Sequence, residues 1–235
     1  MKLNTIIKLL ILVFPLFSLA QVVPVSFLGN APAPVSSFTF NGLTYKVIVS
    51  TTGKTWLDRN LGATQVATSS TDIASYGDLY QWGRGADGHQ IRTPLSTNSV
   101  MNATSATDNP GSALFIIVDS SSSNWRSGQN NTLWQGVNGI NNPCPTGYRV
   151  PTYEELNTEK LAFSLQSSAS AFSSLLKLPA AGLRNSNGSL IAVGSFSMLW
   201  SSTLSGSNAF SLITNSTGRG SNGRAFGCSV RCLKD

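Results

Sequence analysis

The centre of the chain reads GYRVPTYEEL over residues 147–156. Thr152 stands three residues before Glu155, and this spacing forms a capping box, in which each side chain hydrogen-bonds the backbone N–H of the other residue. Glu154 and Glu155 also place negative charge at the positive end of the helix dipole. The sequence therefore predicts a helix that begins directly after Thr152.

Strand signals lie on the N-terminal side of this helix. Residues 38–49 alternate apolar and polar side chains around an Asn41-Gly42 dipeptide, and this pattern predicts a β-hairpin. Residues 55–57 predict a further short strand. The long segment 62–142 has little periodicity and many turn residues, so it is expected to carry either function or short elements that periodicity does not reveal.

More strand signals follow the helix. Residues 169–178 predict a helix that runs into a strand and stops at Pro179, and Asn187-Gly188 predicts a turn. Further strands are predicted for residues 196–203, 209–214 and 227–233. Strands, a loop region with one clear helix, and then strands again indicate an α+β fold.

The first twenty residues read as an export signal. Lys2 and Lys8 accompany an almost wholly apolar run over residues 9–19, which is shorter than the roughly 18 residues that a bilayer requires. We therefore predict a signal peptide over residues 1–20 and an extended, proline-containing leader over residues 21–37. The mature chain is expected to be exported to the periplasm, the cell surface or the medium, with no membrane span.

The composition agrees with export and excludes some functions. Only 11% of the residues are charged, compared with about 25% in an average soluble protein, and Ser, Thr, Asn and Gly dominate instead. Loss of Lys2 and Lys8 with the signal lowers the formal net charge from +6 to +4. The remaining basic residues are scattered and form no run with aromatic residues, so we predict no nucleic-acid binding.

An exported chain with three cysteines implies one disulfide and one odd thiol. Cys228 and Cys232 are predicted to lie on one strand, where four residues span about 13 Å, and bridged Cα atoms lie within roughly 7 Å. These two cysteines therefore do not pair with each other. Any disulfide joins Cys144 to one of them, and the residues alone leave both pairings open.

Four motifs follow one another along the chain: TWLDRNLGA at 55–63, GDLYQWGR at 77–84, GYRVPTYEEL at 147–156, and LWSST at 199–203 with RAFGCSVRC at 224–232. In this order they resemble the motifs of the Fibrobacter succinogenes major paralogous domain family (FISUMP). This family has a C-type-lectin-like fold related to formylglycine-generating enzymes. The resemblance implies one domain over residues 38–235, with small antiparallel sheets, one or two helices and long irregular loops. It also implies a disulfide between Cys144 and Cys232, which leaves Cys228 as a small apolar core residue.

Most of the motif residues are interpreted as structural. Asn60 is expected to be a buried amide that ties loop backbone together, and Arg149 and Arg231 are expected to hold loop carbonyls or a carboxylate. Large indole rings bury on the order of 200 Å² each and anchor a core in a loop-rich fold. The expected core tryptophans are Trp56, Trp82 and Trp200.

The resemblance also suggests a function. Some relatives are variable proteins of diversity-generating retroelements, in which residues before the last motif are diversified to change the ligand. The corresponding stretch here, residues 200–226, mixes adaptable polar side chains with aromatic and arginine anchors, as antibody paratopes do. We therefore expect a secreted or cell-surface module that binds an unknown protein or glycan; the same residues would also suit a plain solvated surface. The candidate ligand-binding residues are Asn208, Phe210, Leu212, Thr214, Arg219, Ser221, Asn222 and Arg224.

Other functions have weaker support in the sequence. A structural envelope or adhesin component is an open alternative. An oxidase like the formylglycine-generating enzymes would need two close cysteines to bind copper, and Cys228 and Cys232 are expected to be too far apart on one strand. Calcium-dependent sugar binding would need clustered oxygen ligands, whereas Asp87 and Asp119 look isolated. His89 reads as an exposed side chain in a polar loop, and no nucleophile motif accompanies it, so we predict no catalytic residue, no metal and no cofactor.

Overall fold

The computed structural model describes residues 36–93, 100–119 and 123–235. The predicted signal peptide and nearly all of the predicted leader lie outside the described residues. The strands are β1 Ser37–Phe40, β2 Leu43–Val49, β3 Thr55–Leu57, β4 Tyr80–Gln81, β5 Val100–Met101, β6 Phe115–Ile116, β7 Tyr148–Arg149, β8 Leu183–Arg184, β9 Leu190–Ile191, β10 Met198–Ser205, β11 Asn208–Ile213, β12 Arg219–Gly223, β13 Gly227–Cys228 and β14 Leu233–Lys234. The helices are α1 Tyr153–Leu161 and α2 Ser168–Ser173, with a 3-10 turn at Ile73–Ser75.

The strands form several small sheets. A five-stranded sheet has the order β1-β2-β3-β14-β7, a four-stranded sheet has the order β4-β13-β8-β9, and a three-stranded sheet has the order β10-β11-β12. All pairs in these sheets are antiparallel, and β5 and β6 form a separate parallel pair. The α+β class with small antiparallel sheets is thus confirmed for the described residues.

The strongest local signals are confirmed. Asn41 and Gly42 connect β1 to β2 with positive φ values of 49° and 75°, the backbone form that an Asn-Gly hairpin turn requires. At the start of α1, Thr152 Oγ1 accepts from the N–H of Glu155, and the Glu155 carboxylate accepts from the N–H of Thr152. The predicted turn at Asn187-Gly188 also occurs, between β8 and β9.

Two predicted elements differ from the structure. Residues 227–233 do not form one strand: β13 belongs to the four-stranded sheet and β14 to the five-stranded sheet. The residues between them cross from one sheet to the other, and their carbonyls accept from Leu57, Leu61 and Trp200 N–H groups. Residues 169–178 form a helix only as far as Ser173, with no strand after it.

The tryptophan core is confirmed and is larger than expected. Trp56, Trp82 and Trp200 are fully buried, and Trp125 and Trp134 are buried with them. Each indole N–H donates to a partner inside the protein, for example Trp200 Nε1 to the carbonyl of Tyr80 at 2.7 Å and Trp82 Nε1 to the carbonyl of Ser201 at 2.9 Å. The rings therefore tie loops to strands as well as filling the core.

The cysteines agree with the pairing that the resemblance implies. Cys144 is bonded to Cys232 with their Cα atoms 5.8 Å apart, and Cys228 is free and fully buried. Burial raises the pKa of the Cys228 thiol well above its usual range, so this thiol is protonated at neutral pH. The bond joins the last strands to the loop that precedes β7.

Asn60 and Arg231 hold the centre of the domain together. The Asn60 Nδ2 donates to the carbonyl of Tyr76 at 3.1 Å, and its Oδ1 accepts from Arg231 Nε at 3.2 Å. Arg231 is fully buried and also donates to the carbonyl of Leu176 at 2.7 Å. The structural roles predicted for both residues are confirmed.

Candidate functional site

The candidate residues lie on and around the β10-β11-β12 sheet. In the antiparallel register Arg219 is opposite Leu212, Ser221 is opposite Phe210, and Asn208 is opposite Ser205. Directly paired residues share a sheet face, so these side chains lie on one side of the sheet. Helix α1 packs against one end of that side and leaves the other end open. We call the open part, formed by Ser205, Asn208, Phe210, Arg219 and Ser221, the outer sheet face.

Four of the eight predicted residues therefore come together. Arg219 and Ser221 are exposed, and Asn208 and Phe210 are half-buried. Asn222 lies on the opposite face of β12, where its Nδ2 donates to Ser211 Oγ at 2.7 Å. It is half-buried and belongs to a different surface from the other four.

The remaining three predictions conflict with the burial of the side chains. Leu212 is 1% exposed and packs with Leu156 of α1 in an apolar cluster. Thr214 is 1% exposed, and its Oγ1 accepts from the N–H of Ser197 at 2.9 Å. Neither side chain is accessible to a ligand on the outer sheet face.

Arg224 is also buried and has a structural role. Its guanidinium lies 4.7 Å from the centre of the Trp82 ring and donates to the carbonyls of Asn130 and Gly206 and to the side chain of Asn131. Burial lowers its pKa. Arg224 thus braces the loop that leads into β11, and its assignment to the ligand surface is wrong for this structure.

Arg219 lies against two aromatic rings at the end of the outer sheet face next to α1. The guanidinium carbon lies 4.6 Å from the centre of the Phe210 ring and 4.8 Å from the centre of the Tyr153 ring. The two rings are 5.5 Å apart and tilted by 48°. Both distances are within the range of cation–π attraction, so the aromatic rings position the exposed charge. Tyr153 is the first residue of α1 and was not among the predicted site residues.

A buried lysine supports the turn before Arg219. Lys160 of α1 is 1% exposed, and its Nζ donates to the carbonyls of Ser216, Thr217 and Gly218 at 3.1–3.3 Å. Burial lowers the pKa of this ammonium. Three charge-assisted hydrogen bonds to one turn restrict the backbone that enters β12. The sequence contained no signal for this contact, because it joins residues 56 to 58 positions apart.

The other end of the outer sheet face is a hydroxyl and amide surface. Ser221 Oγ donates to Ser205 Oγ at 3.0 Å, and Asn208 Nδ2 donates to Ser221 Oγ at 3.4 Å. These groups keep further donors and acceptors available to solvent. Polar groups of this kind, next to a positioned cation and a half-buried phenyl ring, are suited to binding and carry no nucleophile–base pair.

The histidine lies elsewhere, and its predicted exposure is wrong. His89 is 2% exposed; its Nδ1 lies 2.5 Å from Asp87 Oδ1, and its Nε2 accepts from the N–H of Gln81. Burial lowers the pKa of His89 to about 4. Asp87, which looked isolated, also accepts from Arg84 Nη2 at 2.6 Å. Both ring nitrogens are occupied, so the group serves as a structural link between the loop and β4.

Within the described ranges, no three His, Cys, Asp or Glu side chains come close enough to hold a metal ion. In the same ranges no helix has the length and apolar character that crossing a membrane requires. No family model, no curated protein and no solved structure matches this chain. Any function proposed for it therefore depends on the geometry described above and on the sequence motifs.

Proposed function

We propose that this protein is an exported, non-enzymatic ligand-binding module of the C-type-lectin-like class, of the FISUMP type. It binds a protein or a glycan through the outer sheet face. The observation that carries the proposal is the convergence of Asn208, Phe210, Arg219 and Ser221 on one accessible side of a three-stranded sheet.

The construction of this sheet supports the proposal. Its opposite side is packed with Trp200 and Ala209 into the main core, and Lys160 and Arg224 hold the turns at its two ends. A binding surface on a rigid element loses little conformational entropy when a ligand binds. The accessible side chains are therefore presented on a preorganised base.

The chemistry of the surface supports binding over catalysis. Arg219 is the only charged group on the outer sheet face, which has no carboxylate, thiol or imidazole that could act as a general base. The thiol of Cys228 and the imidazole of His89 are both buried. The Cys144–Cys232 disulfide supports export, since such bonds persist in oxidising compartments.

The proposal is tested with the mature chain, residues 21–235, produced with its disulfide intact. The chain is applied to glycan and protein arrays, and each hit is measured in solution. The same ligands are then tested with the triple variant Asn208→Ala/Arg219→Ala/Ser221→Ala. The matched control is Lys46→Ala/Thr51→Ala/Thr146→Ala, which removes one exposed cation and two exposed polar groups from other elements.

We expect the first triple variant to lose at least tenfold in affinity, while the control binds like the unmodified chain. Both variants should keep a similar melting temperature, because the hydrogen bonds and cation–π contacts of the replaced side chains lie at the surface, where such contacts contribute little stability. Full affinity in the outer-face variant would overturn the site. Failure of the unmodified chain to bind any array component would instead favour the structural envelope role.

A further inference from the structure

We infer that the outer sheet face recognises an acidic glycan, with Arg219 as the residue that binds a carboxylate of the sugar. This inference rests on the proposed function and names its ligand class. Three observations carry it: the exposure of the Arg219 guanidinium, the polar and aromatic side chains around it, and the absence of an acidic ion-pair partner for it among the described residues.

Arg219 differs from the other arginines of the chain, all of which lie in the described residues. Each of the others is at least partly buried and donates at least one hydrogen bond to a protein acceptor. Arg219 is exposed and contacts the rings of Tyr153 and Phe210. Its side chain forms no hydrogen bond with another described residue, so its five N–H donors are available to a ligand within this part of the chain.

The ring contacts also determine which kind of ligand group the Arg219 guanidinium can bind. The aromatic faces interact with the guanidinium as a cation, and the N–H groups point outward in the plane of the guanidinium. A planar carboxylate accepts two parallel hydrogen bonds from that edge. No acidic side chain forms an ion pair with Arg219 among the described residues, so the carboxylate has to come from the ligand.

The neighbouring groups favour a sugar over a peptide. Ser205, Asn208 and Ser221 offer hydroxyl and amide groups that match sugar hydroxyls, and Phe210 offers a half-buried ring. Protein interfaces depend on buried apolar anchors, and none of the exposed large hydrophobic side chains belongs to residues 198–226. The surface therefore suits a polyhydroxylated acid.

The turn contact of Lys160 adds preorganisation. Its three hydrogen bonds hold residues 216–218 directly before Arg219, so the guanidinium and its aromatic partners are positioned before the ligand arrives. Lys160 is itself buried and is a positioning residue. Its positive charge also adds to the potential that attracts an anion.

The test measures binding of the mature chain to polygalacturonate, alginate, hyaluronan and sialyllactose in solution. Polygalacturonate methyl ester is the matched neutral probe, and poly-glutamate is the peptide probe. The variants are Arg219→Gln, which removes the charge, and Arg219→Lys, which keeps the charge and loses the planar edge. Lys46→Gln is the control for loss of an exposed cation elsewhere.

We expect binding to at least one acidic glycan, with loss on methyl esterification. Arg219→Gln should weaken that binding by at least about tenfold, Arg219→Lys should weaken it by less, and Lys46→Gln should leave it unchanged. Absence of binding to all four acidic glycans, or equal binding to poly-glutamate, would overturn the inference.

The inference and the proposed function fail in different ways. If a neutral glycan or a protein binds, and the outer-face triple variant loses it while Arg219→Gln does not, the inference is wrong and the proposed function stands. If the triple variant retains every ligand that the chain binds, both are wrong.

Discussion

Arg149 donates two hydrogen bonds to the carboxylate of Glu155, from Nη1 and Nη2, each 2.8 Å long. The pair joins β7 to the first turn of α1, and the Glu155 carboxylate also accepts from the N–H of Thr152. Burial acts to raise the pKa of Glu155, but the hydrogen bonds from Arg149 and Thr152 outweigh it and lower the pKa to about 2. The strand-to-helix junction is therefore a charged clamp.

The clamp predicts acid sensitivity. A carboxyl group whose pKa is lower in the folded chain stabilises it above the unfolded pKa, about 4.5, and this stability is lost as the pH falls towards 2. Glu155→Gln should lower the free energy of unfolding by about 2 kcal/mol at pH 7, and the difference from the unmodified chain should vanish near pH 2. Urea unfolding at several pH values measures this. Glu154→Gln, on the same turn but exposed, should change little; an equal loss there would contradict the role of the clamp.

A second pH effect involves His89 and Asp78, which act in opposite directions. Burial lowers the pKa of His89 to about 4, so the stability associated with the neutral imidazole is present above about 6.5 and is lost as the pH falls to 4. Burial raises the pKa of Asp78 to about 6, so the folded chain binds this proton more tightly and gains stability between pH 6 and about 4. Asp78→Asn should therefore make the loss of stability between pH 6 and 4 steeper.

Chemical denaturation from pH 7 to 4 measures these slopes. His89→Gln should flatten the profile, because a neutral amide does not take up the proton. An unchanged slope in Asp78→Asn, or a steeper slope in His89→Gln, would contradict the assignment.

The disulfide should contribute a large part of the stability. Cys144 and Cys232 are 88 positions apart, and closing a loop of that length contributes about 4.6 kcal/mol in the chain-entropy model. Cys144→Ala/Cys232→Ala should lower the free energy of unfolding by about that amount, as measured by urea denaturation. Cys228→Ala is the matched control and should cost about 1 kcal/mol, since it removes only one buried sulfur. Comparable losses in both would show that the effect is packing and not the crosslink.

The contact between Lys160 and the 216–218 turn predicts a local effect. Lys160→Met keeps the apolar stem and removes the three hydrogen bonds, so the amide hydrogens of residues 216–219 should exchange faster with solvent. Ligand affinity at Arg219 should fall with it. Lys177→Met, which removes a half-buried cation that lies over the Phe172 ring, is the control. Unchanged exchange in Lys160→Met would show that the turn does not depend on this lysine.

The local patterns were good predictors where the signal was contained in a few residues. The Asn41-Gly42 hairpin and the Thr152–Glu155 capping box are both present, because turn geometry and helix caps depend on neighbours in the chain. Strand β12 was missed, since its sequence RGSNG has two glycines and no β-branched residue; pairing with β11 forms it. Residues 227–233 alternate like one strand, but they cross between two sheets.

The candidate site shows the same division. The structure places four of the eight predicted residues, Asn208, Phe210, Arg219 and Ser221, on one face of the sheet, and the sequence pattern did not separate these four from the others. The pattern could not show that α1 covers Leu212, or that Trp82 and Asn131 enclose Arg224. Periodicity indicates on which side of a strand a residue lies, whereas burial depends on what packs against that side.

The sequence by itself determined the α+β class, the Asn41-Gly42 hairpin, the start of α1 and a core built on tryptophans. These follow from backbone preferences and from the hydrophobicity of side chains, which act over a few residues. The tertiary structure alone decided the position of Arg219 between Tyr153 and Phe210, its support by Lys160, and the burial of His89, Thr214 and Arg224. These depend on contacts between residues far apart in the chain, because packing and desolvation arise only when distant segments meet.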